Sequence, residues 1–137
     1  MSYEIIPHTA DIKLRISGYS EEDLFLSSLS GINRIMNPVL EDSGLSTEKE
    51  ITVEGLDLAN LLVDFLNEII SLSYSNKEIY SFTNIRIFKN DEFILEANLV
   101  GKKVKRFNRD IKAATYHDLN VTQRRDGGLE AVVLFDI

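Results

Sequence analysis

Residues 57–73 place Leu58, Leu61, Leu62, Phe65, Leu66, Ile69 and Ile70 at i, i+3, i+4 spacing. A helix with so full an apolar stripe is stable only when most of that face is covered by the rest of the fold. Asp64, Asn67 and Glu68 lie off the stripe. A second helix begins at Ser20, whose hydroxyl can cap the first turn with Asp23 in the capping-box position. Phe25, Leu29, Ile32 and Met36 continue it at helical spacing, beside Leu24 and Ile35. Asn37-Pro38 ends it, because proline disfavours a helical residue before it. Residues 37–50, with Asp42-Ser43-Gly44 and several further acids, read as a loop.

The remaining segments carry the two-residue period of half-buried strands. Ile12, Leu14 and Ile16 alternate with Lys13, Arg15 and Ser17, and residues 50–54 form a shorter strand. Residues 84–100 read as a hairpin turning at Asn90-Asp91. Residues 113–122 and 129–135 read as another, joined by Arg124-Arg125-Asp126-Gly127-Gly128. The predicted order is β-α-β-α-β-β-β-β. The fold class is therefore α+β, with two helices packed on a largely antiparallel sheet.

The 137 residues suit one domain, 1–137, and contain no repeat or linker. No cysteine is present, which excludes disulfides, thiolate zinc sites and cysteine nucleophiles; two histidines leave little for a His-rich metal site. No apolar run approaches the roughly 20 residues that cross a bilayer, and MSYEIIPHTAD does not read as a signal peptide. A soluble, cytoplasmic protein is expected. With 15 basic and 22 acidic side chains the net charge is −7, which opposes general nucleic-acid binding unless positive charge is concentrated locally.

Four features bear on chemistry. In His8-Thr9-Ala10-Asp11-Ile12, an acid enters a strand among apolar neighbours. It serves either as a turn carboxylate bonded to backbone amides or as a functional group that needs a partner. At the other end, Ala131 to Phe135 runs into Asp136-Ile137, which brings the Asp136 side chain close to the carboxylate of Ile137. Converging carboxylates repel one another unless a cation lies between them, and hard oxygen donors suit Ca²⁺ or Mg²⁺. A frayed, solvated end is the alternative. Residues 101–112, GKKVKRFNRDIK, set six basic side chains against one acid around Phe107. That run reads as a solvated loop between strands, or as a surface for RNA phosphates or an acidic protein. In Thr115-Tyr116-His117-Asp118, neighbours on a strand point to opposite faces, so His117 and Asp118 are not expected to form a catalytic pair with each other. No P-loop, dinucleotide fingerprint or nucleophile elbow is present, and no complete catalytic constellation is found.

Together, HTADIKLRISGYSEEDLF at 8–25, LANLLVDFLNEII at 58–70, IKAATYHDLNV at 111–121 and VVLFDI at 132–137 resemble the archease family, in order and across the chain. The resemblance implies a small accessory protein of the RtcB-type RNA ligase. That enzyme joins 2′,3′-cyclic-phosphate or 3′-phosphate RNA ends to a 5′-hydroxyl through a histidine–GMP intermediate, with GTP and Mn²⁺. Archease promotes ligase guanylylation and multiple turnover in tRNA splicing and RNA repair. The resemblance also implies a divalent-cation site, calcium before magnesium or manganese, at Asp11, Asp136 and Ile137. It implies a functional lysine as well: Lys112 is the first choice and Lys102 the second. The chain departs from the family at Phe65, where tryptophan is frequent, and in the strongly basic segment 101–110.

The resemblance thus implies a non-enzymatic activator whose partner is the ligase, with RNA engaged mainly through it and no membrane involved. The alternative is an RNA-binding or chaperone-like module working through residues 101–112. An independent hydrolase built on Asp11 and His117 ranks last, for want of a nucleophile and an oxyanion site.

Overall fold

The computed structural model describes residues 1–7 and 10–137, without the Pro7 side chain. The two helices form where the sequence places them. Helix α1, Glu21–Met36, is capped by Ser20, whose hydroxyl accepts from the Asp23 amide at 3.0 Å. It ends at Asn37, whose left-handed backbone (φ 49°) lets its own amide cap Asn33 and Arg34. Helix α2, Leu58–Asn76, starts from Asp57, which accepts from the Asn60 amide at 2.7 Å. It runs three residues beyond the predicted end, to a left-handed cap at Lys77.

The helices pack on antiparallel sheets, and the strands depart from expectation in number and extent. Among the described residues there are nine strands in two sheets. The first sheet runs β1 (Ser2–Pro7), β2 (Asp11–Gly18), β9 (Leu129–Asp136), β7 (Ala113–Thr115), with β8 (Thr122–Gln123) also on β9. In the second, β6 (Glu92–Phe107) is the spine. It pairs with β4 (Ser46–Gly55) and β5 (Glu78–Asn90) along most of its length, and with β3 (Pro38–Leu40) near its end.

β1 and β3 each pair with one neighbour, so neither needs the alternation that betrays a strand with a buried face. The predicted loop 37–50 therefore holds β3 and the start of β4. β4 keeps its acids Glu48, Glu50 and Glu54 in solvent while Ile51 and Val53 face the core. The basic run 101–107 is not a loop. It continues β6, against β5 as far as Lys103, which lies opposite Glu78, and against β3 from Val104 to Phe107. The predicted strand 113–122 is broken by a turn at Tyr116–Asp118, where Asp118 takes φ 53°.

One core joins the helices to both sheets. α1 lies on β2 and β5, and α2 on β4 and β7. Phe65 is the hinge of the packing, 5.5 Å between ring centres from Phe25 of α1 and 5.5 Å from Phe82 of β5. A Cβ added at Gly31 would lie 2.7 Å from the Leu14 methyls. The missing side chain thus lets α1 settle directly on β2, the strand that carries Asp11.

Candidate functional site at one end of the first sheet

Alternation decides what each strand presents. Ile12, Leu14 and Ile16 of β2 face the core, as do Ala131, Val133 and Phe135 of β9. Asp11, Lys13 and Arg15 therefore share the outer face with Val132, Leu134 and Asp136. The antiparallel register sets Asp11 directly opposite Asp136, where facing side chains stand about 4.5–5.5 Å apart at Cβ. Ile137 is half-buried and packs against the core, anchoring this end of β9.

Four cross-strand partners among the described residues are charged on both sides. Glu4 faces Arg15, Glu78 faces Lys103 and Arg86 faces Glu96. Each of these pairs is ion-paired, at 3.7, 3.9 and 2.5 Å. The fourth is Asp11 with Asp136, two like charges in the position where like charges destabilise a sheet. His8 and Thr9, which open the HTAD run, lie outside the described residues.

The two lysines part company. The Lys112 amide donates to the Asp136 carbonyl at 2.8 Å, and the next residue, Ala113, faces Asp136 across β7 and β9. Lys112 is exposed beside the two aspartates' strand end. Lys102 sits in the second sheet, opposite Ser46 and Ile79.

The segment that carries Lys112 is fastened by a polar stripe on α2 that the apolar pattern hid. Asn67 donates its side-chain amide to the Ala114 carbonyl at 3.2 Å and accepts from the Ala114 amide at 2.8 Å. The Tyr74 hydroxyl donates to the Arg109 carbonyl at 2.9 Å and accepts from the Ile111 amide at 2.8 Å. Burial, and to a lesser degree Asp110, pushes that phenol's pKa upward. Tyr116 donates to Asp64 at 2.6 Å and accepts from Asn60 at 3.0 Å. The bond to the Asp64 carboxylate, helped by burial, raises Tyr116 to about 12. Positions 60, 64, 67 and 74 fall on one helical face. That spacing was present in the sequence and was the signal available.

Beyond Tyr116 the turn carries His117 and Asp118, which border a cleft of about 570 Å³ with Asp11, Lys13 and Arg15. The strand geometry expected for His117 and Asp118 fails. Because they occupy a turn instead of a strand, His117 Nε2 lies 3.2 Å from Asp118 Oδ2. Both side chains are mostly in solvent, and among the described residues no nucleophile adjoins them in the cleft lining.

Among the described residues, no three His, Cys, Asp or Glu side chains gather as an ion site. Asp11 and Asp136 supply two hard carboxylates, and further oxygens would have to come from main chain, solvent or a partner. The donor chemistry fits Ca²⁺ or Mg²⁺ but leaves most of the six to eight positions of Ca²⁺ open.

In the basic run, Lys103 Nζ approaches the buried Glu78 and the Asn76 carbonyl, 3.3 Å away. Arg106 turns to the Asn108 side chain at 3.3 Å. No helix among the described residues is long and apolar enough to cross a membrane.

The profile of the Archease protein family (MTH1598/TM1083) matches residues 3–137. Protein archease of Methanosarcina barkeri is 32% identical, over 96% of this chain and 94% of its own. Protein archease of Pyrococcus furiosus is 30% identical, over 98% of each. The solution structure of Methanobacterium thermoautotrophicum protein 1598 superposes with a TM-score of 0.75 at 25% identity, covering 98% of both chains. A crystal structure from Thermotoga maritima, described as an archease and possible chaperone, gives 0.67 at 28% identity, over 96% of this chain and 94% of that one.

Proposed function

This chain belongs to the archease family, and on that footing we propose that it is a non-enzymatic activator of an RtcB-type RNA ligase, acting in the cytoplasm. It promotes guanylylation of the ligase histidine and so repeated turnover in tRNA splicing and RNA repair. The observation that supports the reading is the facing pair Asp11 and Asp136, with Lys112 bound through its amide to the same residue's carbonyl. An acid pair at a strand end whose backbone is joined to that of an exposed lysine suits a charged partner surface.

Asp11, Asp136 and the Ile137 carboxylate would hold a divalent cation, Ca²⁺ before Mg²⁺ or Mn²⁺. When bound, that ion supplies the positive charge that ends the repulsion between the carboxylates. The chain's own contribution is positional. β9 and β2 fix the two carboxylates, and Asn67 and Tyr74 hold the Lys112 segment against them. Lys112 is the contact residue of this reading and Lys102, in the other sheet, is not.

The test is ligation of a 3′-phosphate RNA to a 5′-hydroxyl RNA by the cognate ligase, with RNA in excess. The expected result is a ligase that stalls near one turnover alone and cycles when this protein is added. Asp136→Asn and Lys112→Ala should each lose the added turnovers while Lys102→Ala keeps them. Turnover that is unchanged by the wild-type protein, together with binding of RNA to the protein alone, would transfer the function to the basic segment 101–112.

A further inference from the structure

On the helix side of the same sheet end lies a second cleft, of about 400 Å³. Its lining is Ile5, Ile12, Arg34, Ile35, Asn37 and Arg109. Ile12 follows Asp11 in β2 and faces the opposite side of the sheet, so this cleft is separate from the carboxylate pair. In a chain of net charge −7, the described residues of the cleft include two arginines and no acid.

Arginine in the last turn of a helix often serves the helix itself, by meeting its unpaired carbonyls. Here the carbonyls of Asn33, Arg34 and Met36, three of the last four, are already taken by backbone amides. Asn37 N–H reaches the Asn33 and Arg34 carbonyls, Arg109 N–H the Met36 carbonyl and Asn108 N–H the Asn37 carbonyl. Neither Arg34 nor Arg109 forms an ion pair or a side-chain hydrogen bond with any of the described residues; the charged partnerships formed there belong to Arg15, Arg86, Lys103, His117 and Arg124. Both arginines are exposed residues. Arg109 is nonetheless held at both ends of its backbone, by Met36 and by the Tyr74 hydroxyl at 2.9 Å. The two cations therefore come from different elements onto one fixed frame.

We infer that this cleft binds the phosphate end of a nucleotide-sized ligand. Two guanidinium forks present donors matched to phosphate oxygens, and the Asn37 side chain adds a further polar group at the rim. Three isoleucines offer an apolar floor for the sugar and base. The volume lies within the range of small-molecule sites and exceeds what a bare phosphate fills. A lone carboxylate from a protein partner would engage the cations and leave the floor uncovered. The inference does not depend on ligase activation, since it concerns ligand binding by the isolated protein.

The probe is AMP, titrated into isotope-labelled protein and followed through backbone amide shifts, with adenosine and inorganic phosphate as comparisons. Saturable shifts at Ile12, Ile35 and Asn37 are expected with AMP. Phosphate should bind more weakly and adenosine should not saturate. Arg34→Gln with Arg109→Gln should weaken AMP by about tenfold or more, the effect of losing charge-assisted contacts, while amides remote from the cleft keep their positions. No saturation up to about 10 mM AMP, shifts centred elsewhere, or affinity unchanged in the double variant would each overturn the proposal. Phosphate binding as tightly as AMP would overturn the role of the isoleucine floor and with it the nucleotide assignment.

Discussion

Arg86–Glu96 in the second sheet and Asp11–Asp136 in the first are the same geometric object. Each is a pair of charged residues directly opposite one another on the outer face of an antiparallel pairing. In the second sheet the register brings opposite signs together and the side chains meet at 2.5 Å. In the first it brings two carboxylates together. Cross-strand pairing normally returns a few tenths of a kcal/mol to the sheet, and a like-charged pair takes a similar amount away. The difference separates a register that matches opposite signs from one that sets two carboxylates face to face.

The deepest self-sufficient pairing should respond most when broken. Glu78 is 1% exposed and accepts from Thr47 at 2.6 Å and Tyr80 at 2.8 Å. Glu78→Ala strands both hydroxyls and leaves Lys103 without its counter-charge. Urea denaturation should report a loss of about 3 kcal/mol. Burial alone would raise the Glu78 pKa, but the two hydroxyls, Lys103 and Lys49 together hold it below its ordinary 4.5. A depressed carboxyl stabilises the fold fully above the ordinary carboxylate range and loses that contribution as pH falls through the folded value. Stability measured from pH 6 downward should therefore fall with a steeper acid limb in the wild type than in Glu78→Gln. Parallel limbs would separate Glu78 from the acid response.

Next in size is a change of sign. Asp136→Asn removes the like-charge contact, so in EDTA it should gain about 0.5 kcal/mol. Millimolar CaCl₂ should stabilise the wild type and not the variant, reversing their order. A variant that loses stability in EDTA would show that the pair is not repulsive in the free protein, and the contrast between the sheets would collapse. The smallest effect belongs to Glu96→Gln. Its pair is exposed, with side chains 68% and 44% accessible, so the same chemical change should cost only a few tenths of a kcal/mol. It should also be insensitive to calcium.

The legible parts of this fold are those whose cause is local. Ser20, Asp57 and the stripe from Leu58 to Ile70 announce two helices because capping and periodicity act within a few residues. Asp11 and Asp136 each stood out by their neighbours, but that they face one another follows from the register of β2 and β9, which no local pattern encodes. β1 and β3 escaped because an edge strand answers to one neighbour and shows little alternation. The basic run 101–107 looked like a loop because its charges mask a strand whose pairing with β5 is decided by Glu78, more than twenty residues earlier. The 116–118 turn hid for the opposite reason. Tyr116 favours a strand, but its hydroxyl reaches across to Asp64 and Asn60 of α2, and Asp118 takes the left-handed turn that aspartate tolerates.

The hold of Asn67 on Ala114 has a consequence for how these molecules behave in a crowd. β7 is the last strand of its sheet, and the outward amide and carbonyl of such a strand are a template on which a second chain can add and aggregation can begin. Asn67 occupies both groups with a single side chain, giving Ala114 the donor and the acceptor that another strand would have offered. A helix residue thus stands in for a missing neighbour, and growth of the sheet from copy to copy is stopped at that position.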